Sequence, residues 1–160
     1  MKSHARAVVV GGGAVGAGIA YHLAKAGWSD VVLLERDELT SGSTWHAAGL
    51  LPLFNMSYTV GQLHKYSVDL YKRLPAETGQ DVSFHVTGNL RLATCRDRMD
   101  EYRKYTGTAN TIGVPFQLIS PAEVKELWPL VNLGGGADTP AVIGALYHPD
   151  DGHIAPADLT

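Results

Sequence analysis

The sequence predicts an α/β fold, with a Rossmann-like βαβ unit at the N terminus and an α+β region after it. Three observations carry that prediction. A short apolar run, Arg6-Ala7-Val8-Val9-Val10, is followed at once by Gly11-Gly12-Gly13-Ala14-Val15-Gly16. Six of the 18 glycines fall between Gly11 and Gly27. A second apolar run, Asp30 to Glu35, then closes a strand, glycine turn, helix and strand within about 30 residues, the length of one βαβ unit.

The elements follow in order. Residues 6–10 and 30–35 read as strands buried in a parallel sheet, because continuous apolar runs suit strands covered on both faces. Between them a helix runs from Ala14 to about Ala26, with Val15, Ile19 and Leu23 spaced four apart on one face and Gly27 as a left-handed stop. Residues 36–52 form a loop of small and polar residues. Residues 59–78 form an amphipathic helix with Leu63, Ser67, Leu70 and Leu74 on its stripe, which Pro75 is expected to kink or shorten. Alternation at Val82, Phe84 and Val86, and again at Leu90 and Leu92, predicts strand, turn at Gly88-Asn89, strand over 82–94. A helix over 97–112, weakened by Gly107, comes next. Ser120, Pro121 and Glu123 then supply the cap, first-turn proline and capping-box acid of a further helix that ends at Pro129. Residues 134–136 are a glycine loop, and 141–148 read as a strand. The two N-terminal strands lack a βαβ continuation downstream, so the sheet they begin is incomplete within these residues.

Composition narrows the function. Hydrophobic residues are 45% and charged residues 18% of the 160, a globular mix. Thirteen Lys and Arg against sixteen Asp and Glu leave −3, with no basic face for a nucleic acid. The single cysteine cannot form an internal disulfide, no run approaches the ~18 apolar residues of a membrane span, and the glycine loop at Gly11 leaves little space for a leader. A reducing, cytoplasmic location is the expectation. Cys95 reads as a small packing residue, Trp128 as core, and His22 and His64 as structural or edge histidines. His153, after Asp150-Asp151-Gly152, lacks metal-ligand spacing.

Gly11-x-Gly13-x-x-Gly16 matches the dinucleotide pattern in the context that gives the pattern meaning, after a strand and opening a helix. Gly11 permits the tight turn, Gly13 lets a pyrophosphate approach the backbone, and Gly16 lets helix and strand pack closely. The anion would sit on the free amides and positive dipole end of the helix. Glu35, nineteen residues beyond Gly16 at the end of the second strand, is placed to accept hydrogen bonds from ribose hydroxyls. Its charge repels a 2′-phosphate and so disfavours NADP, with Arg36 beside it. The pattern leaves NAD and FAD both open. The stretch Gly42-Ser43-Thr44-Trp45-His46-Ala47-Ala48-Gly49-Leu50 has small residues that admit a planar ligand, two hydroxyls, and one strong nucleophile, His46.

The glycine loop, Glu35-Arg36 and residues 42–49 resemble the start of the dimethylglycine dehydrogenase and sarcosine dehydrogenase family, flavoproteins of the D-amino-acid-oxidase-like fold. The resemblance continues through Lys65-Tyr66-Ser67, Glu77-Thr78-Gly79-Gln80, Thr87-Gly88-Asn89-Leu90 and Pro149-Asp150-Asp151-Gly152, and so covers essentially the whole chain. It implies the N-terminal portion of a larger two-domain flavoprotein. Residues 1–58 would be the FAD-binding βαβ unit and flavin loop. Residues 59–160 would be a helix and the start of the substrate-side α+β region, with the FAD domain discontinuous in sequence. It further implies FAD bound covalently through His46, Ala14 and Val15 at the pyrophosphate, Glu35 and Arg36 at the adenosine ribose, and residues 42–50 along the flavin. The implied reaction oxidises the N-methyl group of a small amine such as dimethylglycine or sarcosine. The resulting iminium is hydrolysed to formaldehyde or, where a folate domain exists, captured by tetrahydrofolate. Electrons leave to a carrier protein or to oxygen. Three alternatives remain at this point: an NAD-binding dehydrogenase, a non-catalytic relative like the regulatory subunit of pyruvate dehydrogenase phosphatase, and an inactive truncated product.

Overall fold

A computed structural model describes residues 3–160. The βαβ unit forms as expected. β1 (Ala7–Val10) and β2 (Val31–Leu34) pair in parallel, with Ala7 opposite Val31 and Val10 opposite Leu34. α1 (Ala14–Lys25) crosses between them and stops at Gly27, whose φ is +82°. The expected burial does not follow. Val9 is 7% exposed, but Val8 and Val10 are 54% and 83% exposed, and Leu34 is 52% exposed. A two-stranded sheet backed by one helix buries one face only, and no further layer covers the other among the described residues. The stripe on α1 is also open rather than core: Val15 and Ile19 are exposed.

β3 (Leu50–Leu51) follows the loop of small and polar residues, and α2 (Tyr58–Thr78) then runs unbroken through Pro75 to a left-handed cap at Gly79. Pro75 removes one donor in the last turn, too close to the end to break the helix. The buried face of α2 is Gly61, Val68, Leu70 and Leu74; Leu63, expected on that stripe, is exposed. α3 (Arg96–Ile112) continues through Gly107, and Cys95 is its exposed N-cap rather than a packing residue. α4 (Pro121–Leu127) carries the full capping box, with the Ser120 side chain accepting from the Glu123 amide and Glu123 accepting from the Ser120 amide. Trp128 lies half-exposed at its end, not in the core.

The segment 82–94 does not fold back on itself. β4 (His85–Val86) and β5 (Asn89–Ala93) both run antiparallel to a later stretch, β8 (Gly152–His153) and β7 (Gly144–His148) respectively. Alternation shows that a strand exists, not where its partner lies. At the kink between the two pairings the Thr87 and Gly88 amides both donate to the Asp151 carbonyl, at 3.1 and 2.9 Å. Two three-stranded sheets result, β3-β8-β4 and β5-β7-β6, where β6 (Gln117–Ile119) is a strand too short to show a period in the sequence. α3 buries Met99, Tyr102, Tyr105 and Ala109 on one face of the larger sheet with Ala93 and Leu146. Val124 of α4 packs with Ile119 and Ala145 in a separate cluster.

A candidate dinucleotide and flavin site

Gly11 leaves β1 at φ +108° while its amide donates to the Leu34 carbonyl at 2.8 Å, so the turn is fastened to the neighbouring strand. A side chain at Gly16 would collide with the Gly11 carbonyl oxygen, which is why the helix can sit so close to the strand. Gly13 is the N-cap of α1, and its side chain makes no capping bond because there is none. The first helical backbone bond is Ala17 to Gly13, so the amides before it are the free donors of an N-terminal turn. One of them is already engaged: the Ala14 amide donates to Thr44 Oγ1 at 3.0 Å.

Glu35 directly follows β2 with both oxygens on backbone amides. Oε2 accepts from Gly12 at 2.6 Å, and Oε1 accepts from Arg36 at 2.7 Å and Asp37 at 3.1 Å. These amides, the Gly12 amide foremost, hold the carboxyl below its ordinary pKa, so it is an anion here. Carboxylate oxygens retain lone pairs beyond these bonds, enough to receive ribose hydroxyls as well. The Arg36 side chain is exposed, and its charge adds a last, smaller lowering of the Glu35 pKa.

Residues 40–49 form a succession of turns laid against the glycine loop. The Thr40 amide donates to the Gly12 carbonyl at 3.1 Å, the Trp45 amide to the Thr40 carbonyl at 3.3 Å, and the Ala47 amide to the Thr44 carbonyl at 3.2 Å. His46 Nδ1 donates to the Gly42 carbonyl at 2.9 Å, and the Trp45 ring lies 4.4 Å from the imidazole, tilted by 46°. A carbonyl oxygen only accepts, so Nδ1 carries a proton, and Nε2 is the ring nitrogen outside that bond. The loop ends at Gly49, at φ +72°, where the Ile154 amide donates to the Gly49 carbonyl at 2.9 Å. A side chain there would strike the Ile154 carbonyl. Leu50 then enters β3, two-thirds exposed, opposite His153.

The structure thus gathers part of the expected set into one cleft of about 560 Å³: Gly11, Gly13, Ala14, Val15, Gly16, Glu35, Gly42, Ser43 and Thr44 line it. Arg36, Trp45, His46, Ala47, Ala48, Gly49 and Leu50 do not. A glycine cradle, free helix amides, a fixed carboxylate and a loop of small residues fit an adenine dinucleotide. Two contributors escaped the sequence reading. Gly12, a variable position of the pattern, is buried and bonded at both its amide and its carbonyl. Leu39 lies over it. The Gly-Gly-Gly run was the available signal for Gly12; nothing local marked Leu39.

Elsewhere, His22 bridges the Gly18 carbonyl (2.6 Å) and the Tyr66 hydroxyl (2.8 Å), tying α1 to α2 as a structural histidine. His153 lies beside His85, ring centroids 5.2 Å apart, and no group of three or more metal-binding side chains occurs among the described residues. No helix among them is long and apolar enough to cross a membrane.

The comparisons agree with this geometry. Residues 6–160 match the model of the DAO family, described as FAD dependent oxidoreductase. The chain is 46% identical over 159 residues to the mitochondrial dimethylglycine dehydrogenase of Rattus norvegicus, covering 99% of this chain and 18% of that protein. It is 44% identical over 160 residues to the formaldehyde-forming 4-methylaminobutanoate oxidase of Paenarthrobacter nicotinovorans, covering all of this chain and 19% of that one. The crystal structure of L-proline dehydrogenase from P. horikoshii superposes with a TM-score of 0.87 at 32% identity, over 99% of this chain and 40% of that one. The chain therefore spans under a fifth of the length of these curated relatives. With a family model matched along nearly all of its residues and the cradle that such a cofactor requires in place, the chain belongs to the DAO family of FAD-dependent oxidoreductases.

Proposed function

We propose that these residues form the dinucleotide- and flavin-binding front of an enzyme that oxidises the N-methyl group of a small secondary or tertiary amine, of the dimethylglycine or sarcosine kind, with FAD attached covalently to His46. The names of the relatives support the substrate class: dimethylglycine dehydrogenase, sarcosine dehydrogenase and 4-methylaminobutanoate oxidase each act at an N-methylated amine. The flavin supplies the acceptor for the hydride equivalent that leaves the methyl carbon.

In this reading the chain's own residues bind and orient. Ala14 and Val15 lie at the pyrophosphate, which the Val15 amide and the glycine loop hold, the Ala14 amide being taken by Thr44. Glu35 and Arg36 meet the adenosine ribose, and residues 42–50 run along the flavin. The observation that carries the covalent part is the His46–Gly42 bond. It turns the imidazole so that Nδ1 is occupied by its proton and Nε2 is the nitrogen left to bond the 8α carbon of the flavin. Residues 1–58 then act as the cofactor unit, and 59–160 begin the substrate side.

Acid precipitation of the full-length protein tests the linkage. Covalent flavin stays in the pellet, and a tryptic peptide containing His46 gains the mass of FAD. His46→Ala should release the flavin into the supernatant and leave the fold intact. Release of all flavin from the wild type would end the covalent proposal.

A further inference from the structure

We propose that Gly12 is a positioning residue for the flavin loop, the joint through which the dinucleotide cradle fixes the backbone beside His46. The proposal rests on the flavin-site reading above and adds to it a residue that need not touch the cofactor. Gly12 is buried, and both its backbone groups are spent. Its amide donates to Glu35 Oε2 at 2.6 Å, so the end of β2 holds it from one side. Its carbonyl accepts from the Thr40 amide at 3.1 Å, so it holds the start of the flavin loop on the other.

The relay continues in backbone bonds. Thr40 sits at φ +70°, a conformation that residues other than glycine seldom adopt, and its own carbonyl accepts from the Trp45 amide at 3.3 Å. Trp45 is the neighbour of His46, and their rings are in contact. From Gly12 to the residue adjoining the proposed attachment point there are therefore two hydrogen bonds and one strained residue. A displacement at Gly12 reaches His46 by that path.

Space around Gly12 is tight. A Cβ on residue 12 would stand 2.5 Å from Leu39 Cδ2 and 3.2 Å from both Cβ and Oε2 of Glu35. Gly18 and Gly107, by contrast, would meet nothing within 4 Å. The shortest of these approaches is to the tip of the exposed Leu39 side chain, which must turn aside and which immediately precedes Thr40. The side chain that Gly12 accommodates thus belongs to the segment that Gly12 positions.

The test uses the full-length protein in a His46→Ala background, where bound flavin exchanges freely and its dissociation constant can be titrated by fluorescence. Gly12→Ala should weaken FAD binding roughly tenfold, the effect of a modest overpacking conflict. It should also speed amide exchange across residues 40–47 without flavin, while exchange in β5 and β7 stays unchanged. Adding Leu39→Ala should restore affinity to within about threefold of the background and restore the loop's protection, since the main conflict is gone. Unchanged affinity in Gly12→Ala would overturn the proposal. So would a loss that Leu39→Ala does not repair. If Gly12→Ala alone fails to fold, the double variant decides: folded and binding FAD it supports the joint, unfolded it overturns it. A background protein that binds no FAD at all would count against the flavin site itself, a different failure.

Discussion

Thr44 places its hydroxyl 3.0 Å from the Ala14 amide, so a residue of the loop over 40–49 caps the first turn of the helix that follows the glycine loop. Thirty residues separate the two in sequence, and the bond makes the cradle and the loop one unit. Thr44→Val keeps the shape of the side chain and removes the acceptor. It should cost about 1 kcal/mol of stability, and Thr44→Ser should cost less than half of that, measured by urea unfolding.

Glu35 gives the site a pH dependence with a definite sign. Its folded pKa is depressed by the amides of Gly12, Asp37 and Arg36. The stabilisation is therefore fully present above its ordinary value of 4.5 and is lost as pH falls below that towards the folded value. Glu77, held down by Tyr21 and Lys25, and Glu123, held down by Ser120, add the same sign. Stability should be flat from neutral pH to about 4.5 and then fall, and Glu35→Gln should make the fall shallower. A decline that begins near pH 6 would contradict this.

Asp151 is 1% exposed and holds two distant pieces. Its Oδ1 accepts from His148 Nδ1 at 2.7 Å and from the Leu53 amide at 3.0 Å. The Tyr105 hydroxyl donates to the Leu53 carbonyl at 3.0 Å, so the segment after β3 is gripped from both sides. Asp151→Ala should cost about 3 kcal/mol, because a buried amide and a buried imidazole lose their acceptor together. Asp151→Asn, which keeps one acceptor oxygen, should cost markedly less. Equal losses would mean that the charge, not the acceptor, matters.

The open face of the N-terminal sheet makes a paired prediction. Val9 is buried against α1, while Val10 is 83% exposed. In the 160-residue chain Val9→Ala should destabilise by about 2 kcal/mol, and Val10→Ser should change stability by less than about 0.5 kcal/mol. Comparable costs at the two positions would show that the outer face is covered in solution.

Local chemistry was legible in the sequence. The glycine spacing, the stop at Gly27 and the capping box at Ser120 act within a few residues, so their signals are written next to where they operate. The βαβ unit, α2, α3 and α4 followed directly. The glycine loop, Glu35 and residues 42–44 meet in one cleft because the connections between them are short.

What the tertiary structure decided is pairing and facing. Alternation in 82–94 is equally compatible with a hairpin and with the observed partners 51 to 68 residues further on, because a strand's periodicity records its two faces and not its neighbour. The apolar stripes of α1 and α2 were visible, but which faces pack was only partly so: Leu70 and Leu74 are buried as expected, while Val15 and Leu63 are exposed and Val68 is buried. Gly12 and Leu39 meet through a close approach, and Asp151 reaches Leu53 across 98 residues. Such contacts exist only once the chain has closed on itself, since no property of either residue alone specifies the distance between them.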